Sequence, residues 1–269
     1  MEHLNATVGI IGAGSMGGSI ARGLVAAGVI DAKNLYVCDP LKSCTAPLAD
    51  LGINISDGAE ELVAAATDVV VIAVKPQVLS DVVGPLANLL AGRLVVSIAA
   101  GVPLATLEEL LPKSRVVRVM PNLPIQVLSG ATAVAPGSDV REGEVELVRS
   151  LFAALGSAQV MREDQLDAEG AVVSCGPAYI ALFVDALTRA GIRAGLPATA
   201  CREMVLSTMQ GVAKSLLETG EHPRAYMERV TSPGGTTAAG LYAMEPLVTD
   251  AAYEATDAAL RRTEELSGK

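Results

Sequence analysis

The feature that most constrains this chain is how its first apolar run ends. Ala6–Ile11 (ATVGII) delivers straight into Gly12-Ala13-Gly14-Ser15-Met16-Gly17, with Gly18 next in line. A short run with no polar alternation suits a strand buried on both faces. The G-x-G-x-x-G spacing then fits a strand-to-helix turn. Gly12 permits the tight turn, Gly14 lets the backbone approach a pyrophosphate, and Gly17 allows a helix to pack closely on the strand. Met16–Ala27 carries Ile20, Leu24 and Ala27 at helical spacing, so a helix N-terminus with oriented N–H groups comes after the glycines. The pattern predicts a dinucleotide site; a tight turn alone would also satisfy it.

The chain downstream of this turn keeps the same character. Asn34–Cys38, Asp68–Val74 (DVVVIAV), Leu94–Ser97, Val116–Val119 and Thr132–Ala135 read as further strands. They make a set of about six, with helical patterns between most of them, as in Leu48 and Leu51 before Gly52. Alternation of this kind predicts an α/β Rossmann domain, a doubly wound and mainly parallel sheet, over residues 1–160. Beyond it the period changes. Tyr179, Leu182, Phe183 and Leu187 stand at i, i+3, i+4 and i+8 within an Ala-rich stretch, Asp164–Gly195. Thr199–Leu217 and Pro246–Leu266 repeat the helical pattern, which predicts an all-helical domain over residues 161–269.

Composition excludes several classes. Thirty acidic against 20 basic residues give a net charge of −10, and such a field repels a phosphate backbone, so no nucleic-acid partner is expected. No uninterrupted apolar run approaches the roughly 18 residues of a spanning helix, and no secretion signal is visible, so the expectation is a cytoplasmic protein with no membrane partner. Cys38, Cys44, Cys175 and Cys201 form no C-x-x-C pair, and there are only two histidines. No metal site is predicted, and the cysteines read as reduced, buried thiols. His3 lies near the N-terminus and Glu221-His222 precede Pro223 in what reads as a loop, so a histidine-centred mechanism has no material.

Candidate site residues cluster where parallel strands should end. Asp39 closes the second strand 22 positions after Gly17, where an acid reads the ribose of a dinucleotide or simply forms a turn before Pro40. An acid there favours NADH, while Lys42 and Ser43 close by suit a 2′-phosphate, so NADH and NADPH both stay open. Ala73-Val74-Lys75-Pro76 and Ser97-Ile98-Ala99-Ala100-Gly101 end the next strands and should line the nicotinamide side. Asn122, in MPNLP, suits an amide or ribose contact or an Asx turn. In the helical region Ser232-Pro233-Gly234-Gly235-Thr236-Thr237 sets two glycines and three hydroxyls before an apolar helical run, a carboxylate site or an ordinary helix cap.

Taken together, the Gly12–Gly17 fingerprint, VKPQ (Val74–Gln77), SIAAG (Ser97–Gly101), MPN (Met120–Asn122), CGPAY (Cys175–Tyr179) and TSPGGTT (Thr231–Thr237) resemble the pyrroline-5-carboxylate reductases over nearly the whole chain. The resemblance implies NADPH or NADH as cofactor and a helical domain that forms a homodimer, in many members a decamer. It also implies the last step of proline biosynthesis, reduction of the C=N bond of 1-pyrroline-5-carboxylate, a cyclic imine carboxylate, by hydride transfer to its imine carbon, giving the CH–NH group of L-proline. It maps the carboxylate-binding turn to Ser232, Gly234, Gly235 and Thr236, and the hydroxyl facing the ring nitrogen to Thr237, the catalytic candidate. It further maps Gly12, Gly14, Ser15, Met16, Gly17, Asp39, Ala73–Pro76, Ala99, Ala100 and Asn122 to the cofactor, with Asn122 also beside the substrate. The chain departs from the family where MPNTP reads MPNLP (Leu123) and SGSGPAY reads VSCGPAY (Val173, Ser174, Cys175).

An imine protonates more readily than a ketone, so a threonine hydroxyl suffices where a ketone would need a stronger acid. Two alternatives remain. A reductase of another cyclic imine, or a dehydrogenase of the 2-hydroxyacid or β-hydroxyacid type, shares this outline; the latter class uses a helix lysine, for which only Lys214 is placed. A dinucleotide-binding protein without turnover would keep the same fold.

Overall fold

The apolar strands owe their composition to a sheet covered on both faces. In the computed structural model, which describes residues 3–66 and 68–267, the strands are β1 (Val8–Ile11), β2 (Leu35–Cys38), β3 (Asn54–Ile55), β4 (Val69–Ile72), β5 (Leu94–Ser97), β6 (Arg115–Pro121), β7 (Gly130–Pro136) and β8 (Gly156–Val160). They form one sheet in the order β3-β2-β1-β4-β5-β6-β7-β8, parallel throughout except at β6–β7. Alternate residues of β4 divide between two cores. Val69 and Val71 join Ile10, Val96 and Val117 on one face, while Val70 and Ile72 join Val95 and Val116 on the other.

Helices close both layers. The first face receives α1 (Ser15–Ala26) through Ile20 and Leu24, while α2 (Lys42–Ala49) contributes Leu48. The second face receives α3 (Ala59–Ala65), α4 (Leu79–Val83) and α5 (Leu104–Leu110), through Leu62, Leu79 and Leu107. Returning to the first face, α6 (Glu142–Ala153) buries Val148, Leu151 and Phe152. The doubly wound expectation therefore holds, with two strands more than the pattern announces. β3 has only two residues, and β8 is an edge strand whose GSAQV is mostly exposed, so neither presents an apolar run.

Packing divides the chain at Cys175. Residues up to there, with those from Leu260 onward, form one unit, and Gly176–Ala259 forms the other. A buried cation ties the stretch after residue 160 to the sheet. Arg118 stands in the middle of β6 and is 4% exposed. It donates to Glu163 at 3.1 Å and lies 3.8 Å from Asp167. The same Glu163 oxygen accepts the Leu104 N–H at 2.5 Å, and Leu166 sits in the second core. These bonds hold α7 (Leu166–Glu169) and the π-helical turn Gly170–Ser174 against the sheet. A strand reading of VVRV gives Arg118 no role, yet a lone arginine among buried β-branched residues requires acidic partners elsewhere in the chain.

The second unit comprises α8 (Gly176–Arg193), α9 (Ala198–Thr219), α10 (Pro223–Arg229) and α11, which starts at Thr236 and runs on to Ser267 past the end of this unit. His222 lies in the connection between α9 and α10, as its sequence context suggests, and there it caps α10, its Nδ1 accepting the Arg224 N–H at 3.2 Å, with Pro223 at the first helical position where its missing N–H costs nothing. One expectation changes here. The closing helix starts at Thr236, ten residues before the predicted Pro246, which the helix absorbs by forgoing one backbone bond.

Large side chains of this unit stay exposed, among them Ile180, Leu182, Met204, Leu206, Tyr242 and Leu247. One helical stretch among the described residues, Glu163–Arg193, is long and apolar enough to span a membrane by length and composition. No uninterrupted run reveals it, because Asp167, Glu169 and Asp185 punctuate it. The cysteines also divide: Cys38 and Cys201 are buried and Cys44 half-buried, but Cys175 is exposed, against the expectation of four buried thiols.

Candidate active site

The strand order reverses between β1 and β4, where a doubly wound sheet opens a crevice at its carboxyl edge. The glycine turn lies there. The Gly12 N–H donates to the Cys38 carbonyl at 2.9 Å, and the Ala73 N–H donates to the Ile11 carbonyl at 2.8 Å. Gly12 has φ +98°, and a Cβ on it would stand 2.7 Å from the Ala73 carbonyl oxygen. A Cβ on Gly17 would overlap the Gly12 carbonyl oxygen outright. Gly14 is different: it is exposed, and a Cβ there would meet nothing within 4 Å. Gly14 also caps α1 with no side chain bonded to the first turn, and Ser15 and Met16 carry the helix N-terminus to the surface. Two glycines tightened against protein, one facing open space, and an uncapped helix start fit a dinucleotide pyrophosphate.

Asp39 leaves the end of β2 and turns toward this loop. Its Oδ2 accepts the Ala13 N–H at 2.7 Å and its Oδ1 the Leu41 N–H at 2.8 Å. Beside it the Cys38 thiol is pushed up to about 11, first by burial and then by the Asp39 and Glu60 charges, so it stays a thiol at neutral pH.

At the end of β4, Ala73 and Val74 are half-buried while Lys75 and Pro76 are exposed at the start of a 3-10 turn, Pro76–Val78. Past β5, Ser97 is buried and its Oγ accepts the Ala99 N–H at 3.3 Å. This turns the chain so that Ala99 is buried, Ala100 is exposed and Gly101 takes φ +74°. The structure thus gathers Gly12–Gly17, Asp39, Ala73–Pro76 and Ala99–Ala100 along the carboxyl ends of the neighbouring strands β2, β1, β4 and β5.

Asn122 ends β6 in the same row, 8% exposed, with its side chain engaged by the protein. Its Oδ1 accepts the Ala131 N–H at 2.8 Å and its Nδ2 donates to the Val173 carbonyl at 3.1 Å, which leaves one amide N–H for a ligand. Leu123, beside it, is exposed. One residue beyond Val173, the Ser174 hydroxyl donates to Glu169 Oε2 at 3.2 Å, while Glu169 Oε1 is buried with no partner. Sequence reading missed this acid, whose only signal is a carboxylate in an otherwise apolar helical stretch. Burial pushes the Glu169 carboxyl up to about 7, with the Ser174 bond opposing it.

A raised carboxyl pKa makes the folded state hold the proton more tightly than the unfolded one. Stability should therefore decline as pH rises from about 4.5 to about 7 and level off above. Glu169→Gln should remove that decline, matching the wild type near pH 4 and exceeding it by roughly 1–2 kcal/mol at pH 8. Calorimetric melts at both pH values measure the gap; equal Tm differences at the two would refute a buried, protonated Glu169.

In the helical unit, Gly234 takes φ +69° and the Gly235 N–H donates to the Ser232 carbonyl at 3.0 Å, a turn that feeds directly into α11. Ser232, Gly234, Thr236 and Thr237 are exposed at that helix start and Gly235 is half-buried. The Thr231 hydroxyl donates to the Met227 carbonyl at 2.6 Å, tying the turn to α10. Lys214, the residue a helix-lysine mechanism would need, is exposed on α9 and stands 3.8 Å from Glu218.

A glycine turn at the switch point of a doubly wound sheet, with a helical unit after it, defines the class of NAD(P)-dependent oxidoreductases. Comparison with known proteins agrees. Residues 163–266 match the family described as pyrroline-5-carboxylate reductase dimerisation, and residues 7–101 match NADP oxidoreductase, coenzyme F420-dependent. The chain is 37% identical to the pyrroline-5-carboxylate reductase of Methanosarcina acetivorans over 98% of this chain and 99% of that one. Among solved structures, the pyrroline-5-carboxylate reductase of Coxiella burnetii superposes with a TM-score of 0.93 at 32% identity, over 98% of this chain and 99% of that one. The Plasmodium falciparum pyrroline carboxylate reductase with NADP bound gives 0.87 at 29%, over 99% and 100%. The chain belongs to the pyrroline-5-carboxylate reductase family.

Proposed function

We propose that this protein reduces 1-pyrroline-5-carboxylate to L-proline, with hydride delivered to the imine carbon from NADH or NADPH. The observation that carries the cofactor half is the glycine turn, where only Gly14 faces open space while Gly12 and Gly17 are closed by protein. Bound there, the cofactor supplies the hydride. The chain's own residues have simpler work. Gly12, Gly14, Ser15, Met16 and Gly17 hold the pyrophosphate, and Ala73–Pro76 with Ala99 and Ala100 line the approach to the nicotinamide. Asn122, its side chain already held by two backbone groups, offers its remaining N–H.

For the substrate, Ser232, Gly234, Gly235 and Thr236 hold the carboxylate and Thr237 donates to the ring nitrogen. No stronger acid is required, since the imine nitrogen is basic and solvent can restore the threonine proton. The exposed apolar side chains of α8, α9 and α11 support assembly as a homodimer through this unit. Sedimentation measurements would distinguish that dimer from a decamer, and a monomer at micromolar concentration would refute the assembly.

The test of function is oxidation of NADH and of NADPH in the presence of 1-pyrroline-5-carboxylate, with 1-pyrroline-2-carboxylate and a β-hydroxyacid pair as controls. Rapid turnover with the 5-carboxylate is expected. Turnover confined to another cyclic imine would assign Leu123 and Val173–Cys175 to substrate choice. Cofactor binding with no turnover on any substrate would return the reading of a non-catalytic dinucleotide-binding protein.

A further inference from the structure

We infer that this chain takes NADH in preference to NADPH and that Asp39 sets the choice, an inference that rests on the glycine turn being a dinucleotide site. Asp39 ends β2, the strand next to β1, so it stands beside the turn at the position where the adenosine ribose is read. Its two oxygens are held separately, Oδ2 by the Ala13 N–H within the glycine turn and Oδ1 by the Leu41 N–H at the entry to α2. Swinging the carboxylate away would break both bonds, so its negative charge is a fixed part of the site. Each oxygen keeps acceptor capacity, which suits the two vicinal hydroxyls of an unphosphorylated ribose.

A 2′-phosphate in the same place brings further negative charge and three acceptor oxygens to a carboxylate that has no donor to offer. The surroundings add to the repulsion. Glu60, in the first turn of α3, is close enough to β2 for its charge to act on Cys38 together with that of Asp39. Opposing these acids, the stretch from Asp39 to Ala49 holds a single cation, Lys42, exposed at the first position of α2, and no arginine to grip a phosphate with a planar fork.

The experiment is a binding titration without substrate, using the fluorescence of NADH and of NADPH on the full-length protein. NADH should bind at least about tenfold more tightly. Competition by 5′-AMP and by 2′,5′-ADP, which needs no variant, should show the same order. Asp39→Ser should narrow or invert the ratio mainly by strengthening NADPH. Asp39→Asn keeps the shape and one acceptor while removing the charge, and should move the ratio the same way; it serves if the serine variant does not fold. Lys42→Ala should leave the ratio within about threefold of the wild type, since a single exposed lysine is a weak phosphate clamp. Equal or tighter NADPH binding by the wild type, or an unchanged ratio in both folded Asp39 variants, would overturn the inference. Failure to bind either dinucleotide would instead overturn the reading of the glycine turn, and the inference with it.

Discussion

Gly17→Ala and Gly14→Ala, three residues apart in one turn, are expected to fail in opposite ways. A methyl group on Gly17 lands on the Gly12 carbonyl oxygen and near the Ala73 Cβ, so α1 must move off β1. Both elements carry first-core residues, Ile10 on the strand and Ile20 on the helix. We expect a loss of at least about 2 kcal/mol in stability, with dinucleotide binding lost as a consequence. Gly14 has φ −61°, which alanine adopts freely, and open space where its methyl would go. Gly14→Ala should melt within about 0.5 kcal/mol of the wild type yet bind NADH and NADPH at least about tenfold more weakly, because the methyl occupies the approach of the pyrophosphate. Thermal melts and fluorescence titrations of the two variants read both effects. A Gly14→Ala protein that bound dinucleotide normally would remove the pyrophosphate from this turn.

Thr237→Ala is expected to lower kcat on 1-pyrroline-5-carboxylate by about a hundredfold or more while KM for the imine rises less than about tenfold. The asymmetry comes from the division of labour at the start of α11. In the proposed site the carboxylate would take backbone N–H groups of the turn at Gly234 and Gly235, which the substitution leaves alone, whereas the ring nitrogen would lose its only proposed hydroxyl donor. Thr237→Ser restores the hydroxyl and should recover most of kcat. Steady-state kinetics of the two variants separate a donor from a packing residue: full kcat in Thr237→Ala would exclude the role, and failure of the serine to rescue would assign the loss to the missing methyl.

The residues most legible in the sequence are those whose type is dictated by local geometry. Gly12, Gly14 and Gly17 announce their turn because no other residue fits two of the three positions. DVVVIAV announces β4 because both its faces are buried. Gly234 and Gly235 mark the turn before α11 in the same way. Less legible are features set by partners far along the chain. Nothing near Arg118 in sequence says that it binds Glu163 and Asp167, and these bonds tie the stretch after β8 to the sheet. β8 is hidden because an edge strand needs no apolar alternation, and α10 because His222-Pro223 reads as punctuation until the histidine is seen accepting the Arg224 N–H. Asp39 lies between these cases: its position is legible, and its hold on Ala13 and Leu41 is not.

Asn122 carries a consequence for how variants of this protein are interpreted. Its one side chain bolts together the end of β6, the start of β7 and the π-helical turn at Val173, three stretches with no sequence continuity. A scan that scored only turnover would flag Asn122 as a contact for the reacting molecules, since its replacement loosens the strand end on which the proposed site is built. Unfastening a hinge plate and removing a tool would produce the same loss. Turnover lost together with resistance to heat marks Asn122 as a fastener first, and whatever its remaining N–H gives to a ligand is the part lost when the melt stays unchanged.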